Sequence, residues 1–304
     1  MDAVYEVLVL AGATATGKSR LAIDLAEALA ETGQPAEIVN ADSMLVYRGM
    51  DIGTAKPSLA DRRRVPHHLI DIMDIDQSAS VAAFQGMARD IIADCRRRQV
   101  LPIVVGGSAL YLHAIVDDVT FPATDETVRG RLTQELSLLG ADHMHERLRS
   151  LSPDAADAID PTDSRRIVRA LEAIELTGEF RASLPTWTYA LDSVLHIGLT
   201  VDRATMDARI ETRVAAMWAE GFVEEVRALE ARGLREARTA SRAIGYRQIL
   251  DHLDGVTTED EAREWTVIRT RQFSRKQLTW WRRDPRIQWL PADVDTADVL
   301  RLLG

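Results

Sequence analysis

The chain has 304 residues, of which 46% are hydrophobic and 28% charged, with a formal net charge of −10. That length fits about two domains with a sizeable core, and the acidic balance argues against a protein that coats nucleic acid indiscriminately, while leaving room for a local basic face. No apolar run approaches the roughly 18 residues that span a bilayer, and the first residues lack a basic-then-apolar export signal, so a cytoplasmic protein is expected.

The first apolar run, Val7 to Ala11, reads as a buried strand, and Gly12-Ala13-Thr14-Ala15-Thr16-Gly17-Lys18-Ser19 follows it and opens a helical stretch. This is the full P-loop pattern in its required strand-loop-helix setting. Its glycines let successive N–H groups turn inward toward phosphate oxygens, and the helix N-terminus adds the positive end of its dipole. Lys18 supplies a point charge for the phosphates and Ser19 a hydroxyl for Mg²⁺. Leu21, Leu25 and Leu29 recur every four residues, marking a helix that ends near Gly33 and Pro35.

Glu37 to Ala41 reads as a second buried strand, with Asp42-Ser43 at its end and a polar, Gly-containing loop from Tyr47 to Pro57 beyond. Loops leaving the carboxyl ends of parallel strands line the ligand crevice, so Asp42 and the P-loop are expected to share a cleft. From position alone, Asp42 divides evenly between a chemical role and a capping or Mg²⁺-ordering one. His67 and His68 are read as part of a loop, and His143 and His145 lie two apart on a helix; neither pair is expected to bind metal. Phe84, Ala88, Ile91 and Cys95 mark a helix in which Cys95 is a small buried side chain. As the single cysteine, it excludes an intramolecular disulfide framework or a multi-Cys metal cluster. Leu101 to Val105 reads as a third buried strand ending in Gly106-Gly107-Ser108, where close backbone approach to a ligand is expected. A nucleotide hydrolase of the Walker type would carry a Mg²⁺-holding Asp at the end of such a strand, and Gly106 stands there instead.

From Phe121 the pattern changes to charged helical stretches, and the next strand-like run is Val194 to Val201, so residues 122–193 read as an α-helical insertion. Inside it, Arg165, Arg166 and Arg169 form a basic cluster for which local salt bridges to Glu172 and Glu175 are the favoured reading. Further helices carry Arg213, Met217 and Phe222, then Ala243 to Gln248, and the longest runs from Glu261 to Arg283. Between Trp265 and Arg283 that helix has no acidic residue but six basic ones, with Arg271, Arg275 and Arg282 on one side, a candidate polyanion-facing surface. Phe273 and Trp280 are expected to point into the core.

An ordered series of motifs runs through nearly the whole chain: Gly12 to Ser19, Asn40-Ala41-Asp42-Ser43, Tyr47 to Pro57, Pro66 to Asp71, Val105 to Ser108, Asp163 to Arg166 with Arg169 to Glu172, Gly245-Tyr246-Arg247, Thr270-Arg271-Gln272, and Arg275 to Trp280. On these residues the chain resembles the bacterial tRNA dimethylallyltransferase (isopentenyl-tRNA transferase) family. The resemblance implies transfer of a dimethylallyl group from its diphosphate to N6 of the adenosine beside the anticodon, releasing diphosphate with Mg²⁺ assistance. It implies that Gly12, Ala13, Thr14, Ala15, Thr16, Gly17, Lys18 and Ser19 hold the diphosphate with help from Arg213, that Ser19 meets the Mg²⁺, and that Asp42 acts as base with Ser108 near the adenosine. It also implies that tRNA is met by Asp42, Ser43, Met44, Leu45, Arg129, Arg165, Arg166, Arg169, Arg271, Arg275 and Arg282. Three positions depart from the family's usual pattern: Ala13 for Pro, Leu45 for Gln, and Ser108 for Thr.

The expected architecture is therefore α/β: a P-loop core with a mainly parallel sheet flanked by helices (1–121 and 194–304) and an α-helical insertion (122–193) that contacts the anticodon stem-loop. A monomer without membrane association is expected. The competing reading from the loop alone is a small-molecule kinase that transfers phosphate from ATP, against which Gly106 and the basic C-terminal helix both speak.

Overall fold

Runs of Val, Leu and Ile, each followed by a helix, favour a parallel sheet, because parallel neighbours need a crossover between them. The computed structural model describes residues 5–77, 80–122, 124–180 and 187–304. Its strands are β1 (Val7–Gly12), β2 (Ala36–Asn40), β3 (His67–His68), β4 (Leu101–Gly106), β5 (Val194–Thr200) and β6 (Gln288–Pro291). They lie in the order β3-β2-β4-β1-β5-β6, with every neighbouring pair parallel. The helices in chain order are α1 (Lys18–Glu31), α2 (Leu59–Arg64), α3 (Val81–Arg97), α4 (Ala109–Val116), α5 (Glu126–Leu139), α6 (Ala141–Leu151), α7 (Pro153–Ala158), α8 (Ser164–Thr177), α9 (Arg203–Ala219), α10 (Phe222–Glu230), α11 (Tyr246–Leu253), α12 (Glu259–Trp281) and α13 (Thr296–Leu303).

The alternation of β1 explains the layering. Val7, Val9 and Ala11 pack with Val104, Leu112 and Ile115 on one face, while Leu8 and Leu10 pack with Leu25, Ile103 and Val299 on the other. Both faces are covered, so the strands read as unbroken apolar runs instead of alternating ones. Because β1, β2 and β4 are adjacent and parallel, the loops leaving their carboxyl ends lie side by side.

Residues 1–118 and 187–304 form one compact unit and residues 119–186 a second. The second is built from α5 to α8 around Leu132, Met144, Leu148, Ile167 and Leu171. At its heart the fully buried Glu172 accepts hydrogen bonds from the Asp125 backbone N–H (2.8 Å), from Arg129 Nε and Nη2 (3.0 Å each) and from Arg169 Nη1 (2.6 Å). Two guanidinium groups and a backbone donor are what allow a carboxylate to be buried there.

Four local expectations are revised. His67 and His68 form a short edge strand on β2 and not a loop. The buried face of α3 is Phe84, Ala88, Ile92 and Cys95, so Ile92 takes the position expected of Ile91. Helix α12 begins at Glu259 because Thr258 Oγ1 accepts from Glu261 N (3.2 Å) while the Glu261 carboxylate accepts from Thr258 N (2.7 Å), a reciprocal cap that sets the start. Phe273 is not in the core: it is 43% exposed, whereas Trp280 is half-buried against the main apolar cluster.

Candidate active site

The loop from Gly12 to Gly17 is shaped from within before any ligand is considered. Thr16 is buried and its hydroxyl donates to Ala13 O (2.9 Å), closing the turn. Ala15 has φ +64° and Gly17 φ +92°, the left-handed conformation in which a glycine is the least strained choice. Helix α1 then starts with no side-chain cap and no acidic residue in its first turn, which leaves its N–H groups and dipole for an anion.

Lys18 Nζ donates to Ala13 O (3.2 Å) at the mouth of this loop. Burial lowers its pKa to about 8, the Asp42 carboxylate pulls it back up, and the Arg213 guanidinium pushes it further down. Arg213, from α9, is itself held against its charge by burial, with Asp42 opposing. Its Nη2 donates to Thr54 O (3.3 Å). Two cations and one carboxylate therefore share a cleft that is also lined by Thr14, Ser19, Asn40, Leu45, His67, Phe273 and Gln277.

Asp42 sits just beyond β2 and is set in place by Asn40, which is 3% exposed. Asn40 Oδ1 accepts from Asp42 N (2.8 Å), and Asn40 Nδ2 donates both to Asp42 O (3.0 Å) and to Leu69 O (2.9 Å). Asp42 Oδ1 accepts from Met44 N (2.9 Å), a tight side-chain turn. One oxygen of the carboxylate thus serves the local fold, and among the described residues the other has no hydrogen-bond partner.

Protein atoms crowd the Gly106-Gly107 pair, and Gly106 also lines the cleft. A Cβ at Gly106 would lie 2.5 Å from Ala41 O, and one at Gly107 would lie 2.6 Å from Gln277 Nε2. Gln277, 7% exposed on α12, donates from Nε2 to Gly107 O (2.8 Å) and accepts at Oε1 from Thr14 N (3.0 Å), tying two loops of the cleft together. Ser108 begins α4 without a side-chain cap.

The other expected contact residues fall in different settings. Ser43 and Met44 are partly buried in the turn after Asp42, where Met44 packs on the main apolar cluster, and Leu45 lines the cleft. Arg129 and Arg169 are committed to Glu172, Arg165 is exposed without an ion pair among the described residues, and Arg166 lies 3.6 Å from Asp163. Glu175 pairs with Arg131 and not with the expected cluster. On α12, Arg271 bonds Glu211 and lies 3.6 Å from Asp207, while Arg275 and Arg282 are exposed.

Gln277, Phe273 and His67 line the cleft but were not expected there from the sequence. Phe273 and Gln277 are four apart on one helix, a spacing that puts both on one face. Away from the cleft, donor atoms of Glu37, His68 and Cys95 lie within 4.8 Å of one another. Arg98 holds both Glu37 oxygens at 2.8 Å, and burial, followed by Glu37, pushes the Cys95 thiol up to about 12. No helix among the described residues is long and apolar enough to cross a membrane.

The family model described as IPP transferase matches residues 45–284. A tRNA dimethylallyltransferase of Kineococcus radiotolerans is 55% identical over 97% of this chain and 93% of its own, and one of Thermobifida fusca is 54% identical over 95% and 90%. Among solved structures, the tRNA isopentenylpyrophosphate transferase of Bacillus halodurans aligns with TM-score 0.69 at 37% identity over 98% of this chain and 94% of its own. A eukaryotic dimethylallyltransferase acting on tRNA aligns with TM-score 0.74 at 26% identity over 94% and 73%. With a parallel P-loop-type core, a phosphate-ready cleft and full-length relatives of one kind, the chain belongs to the IPP transferase family, the tRNA dimethylallyltransferases.

Proposed function

We propose that the protein transfers the dimethylallyl group of dimethylallyl diphosphate to N6 of the adenosine 3′ to the anticodon in tRNA. The observation that carries this is the meeting of Asp42, Lys18 and Arg213 in one cleft at the carboxyl ends of β1 and β2. A base facing two cations suits a reaction in which a proton is lost at one end of the substrate pair and a highly charged diphosphate departs at the other.

In the proposed step the N6 lone pair attacks the allylic carbon, a C–N bond forms, and the C–O bond breaks with its electron pair leaving on diphosphate. The proton passes from N6 to the free oxygen of Asp42, which Asn40 and the Met44 N–H hold in place. A positioned base contributes about 10²–10⁴-fold. The loop N–H groups, Lys18 and Arg213 stabilise the charge that develops on the diphosphate. Ser108, at the start of α4, is proposed to hydrogen-bond near the adenosine.

The site suits Mg²⁺ through Ser19, which offers an exposed hydroxyl beside the loop, a hard oxygen of the kind this ion combines with phosphate oxygens and water. Bound there, the ion would neutralise diphosphate charge. The anticodon base has to leave its stack to enter the cleft, and we assign the RNA grip to Ser43, Met44 and Leu45, to the insertion at 122–193, including Arg129, Arg165, Arg166 and Arg169, and to Arg271, Arg275 and Arg282. We read the protein as a cytoplasmic monomer.

Incubating purified protein with dimethylallyl diphosphate, Mg²⁺ and unmodified tRNA, followed by nucleoside mass spectrometry, tests this. Prenylated adenosine in the anticodon loop, with diphosphate released in equal amount, is the expected result; its absence overturns the proposal. Asp42→Asn should lower turnover about 10²–10⁴-fold while tRNA binding is retained, and turnover near the unaltered rate would remove Asp42 as the base.

A further inference from the structure

Glu225, on α10, lies outside the cleft and belongs to none of the motifs that led to it. Its carboxylate accepts three consecutive backbone N–H groups: Asp51 N (2.9 Å) and Ile52 N (2.7 Å) at Oε2, and Gly53 N (3.2 Å) at Oε1. Tyr246, fully buried at the start of α11, donates its hydroxyl to Oε1 (2.6 Å). Successive N–H groups curled around one anion form a nest, ordinarily a site for phosphate or another external anion. Here the protein fills it with its own carboxylate. Space enforces the fit from the other side, since a Cβ on Gly53 would lie 2.2 Å from the Phe222 ring.

What the nest holds is one wall of the cleft. One residue past Gly53, Thr54 Oγ1 donates to Met50 O (2.6 Å), and Thr54 O accepts from Arg213 Nη2 (3.3 Å). Thr54 and Ala55 line the cleft beside Lys18 and Arg213. Between Glu225 and the Arg213 guanidinium there is therefore an unbroken run of fixed groups: carboxylate, three N–H groups, the Thr54 carbonyl, guanidinium.

We propose that Glu225 is a positioning residue for the leaving diphosphate: by fixing the turn at Asp51 to Gly53 it sets the Thr54 carbonyl that aims Arg213 at the phosphate end of the cleft. The inference rests on the prenyl-diphosphate reading above. A merely structural Glu225 would contribute to stability without its effect running through Arg213.

The test is a double-mutant cycle read by calorimetric binding of inorganic diphosphate with Mg²⁺ to the whole chain. Glu225→Ala should weaken binding about tenfold, Arg213→Ala at least as much, and the double variant should be no weaker than Arg213→Ala alone. If Glu225→Ala does not fold, Glu225→Gln carries the same cycle: one amide oxygen cannot serve three N–H groups, so a smaller loss, about threefold, is expected, and it too should vanish in the Arg213→Ala background. Additive losses, or binding by either Glu225 variant as tight as the unaltered protein, overturn the inference. Unaltered protein that binds diphosphate but prenylates no RNA overturns the proposed function alone; protein that binds no diphosphate overturns both.

Discussion

A half-buried lysine sharing a cleft with an arginine costs the folded protein free energy until an anion arrives. With the Lys18 pKa at about 8 against an ordinary 10.5, the native state binds fewer protons than the unfolded state between those values. Stability from this group therefore rises with pH through that window, and below it the charged side chain is a liability. Lys18→Met should raise the stability of the ligand-free protein at pH 7 by about 1–3 kcal/mol, seen as a higher Tm, while weakening diphosphate binding. A lower Tm would show that the charge is better compensated than its surroundings suggest. At the same scale, the P-loop was legible because its chemistry is contiguous in sequence. Asn40 was visible only as part of a motif, since its hold on Leu69 O is made across 29 positions. Gln277 was hidden among six basic neighbours, a polar residue that pattern alone places on a solvated face.

Loops that look polar in sequence can be cores of their own. The segment from Tyr47 to Pro57 is organised around Lys56, whose side chain is 1% exposed and whose Nζ donates to Tyr47 O (2.7 Å), Asp51 Oδ1 (2.6 Å) and Asp71 Oδ1 (2.6 Å). Asp71 also receives Arg62 Nη1 (2.7 Å). Composition gave the loop its polarity but not the burial of its lysine, because the two carboxylates arrive from either side of it in the chain. Lys56→Met should cost about 1–3 kcal/mol in a denaturant titration, since it leaves the Tyr47 carbonyl without its donor and Asp71 with Arg62 alone; a change under about 0.5 kcal/mol, as for an ordinary surface position, would show the site to be solvated. Helix α12 was the easier element, its length and sign bias being read directly, although Phe273 was assigned to the wrong side because a large apolar residue is placed inside by default.

For the whole molecule, the parallel sheet followed from apolar runs separated by helical periodicity, whereas the order of its strands depended on contacts that no single run contains. The same holds where the insertion leaves and rejoins the first unit. There Arg286 bonds Asp117 Oδ1 (2.7 Å) and Asp284 Oδ2 (2.7 Å) and lies 3.9 Å from the centre of the Tyr189 ring. Asp118 N donates to Thr188 O (2.9 Å), joining the outgoing and returning segments. Asp117 and Asp284 are at most 2% exposed, so one guanidinium compensates two buried carboxylates drawn from positions 167 residues apart. Arg286→Ala should destabilise the protein by about 3–5 kcal/mol, measured by chemical unfolding, and Arg286→Lys should recover little because a point charge cannot serve both partners in a plane. Full recovery by lysine would show that charge alone matters there. Net charge could not reveal this, since it counts charges without saying which are buried together.

The two hydrogen bonds of Gln277 have one more consequence. A helix advances about 1.5 Å and turns about 100° per residue, so Gln277 can reach both Thr14 N and Gly107 O at only one axial setting of α12. The amide works as an index pin between the helix and the phosphate loop: removing or adding a single residue between the Thr258 cap and Gln277 would leave the helix intact and its apolar contacts partly replaceable, yet swing the pin out of both loops at once. The spacing of 19 positions from Thr258 to Gln277 is thus a mechanical dimension of the cleft, written in residue count instead of side-chain chemistry.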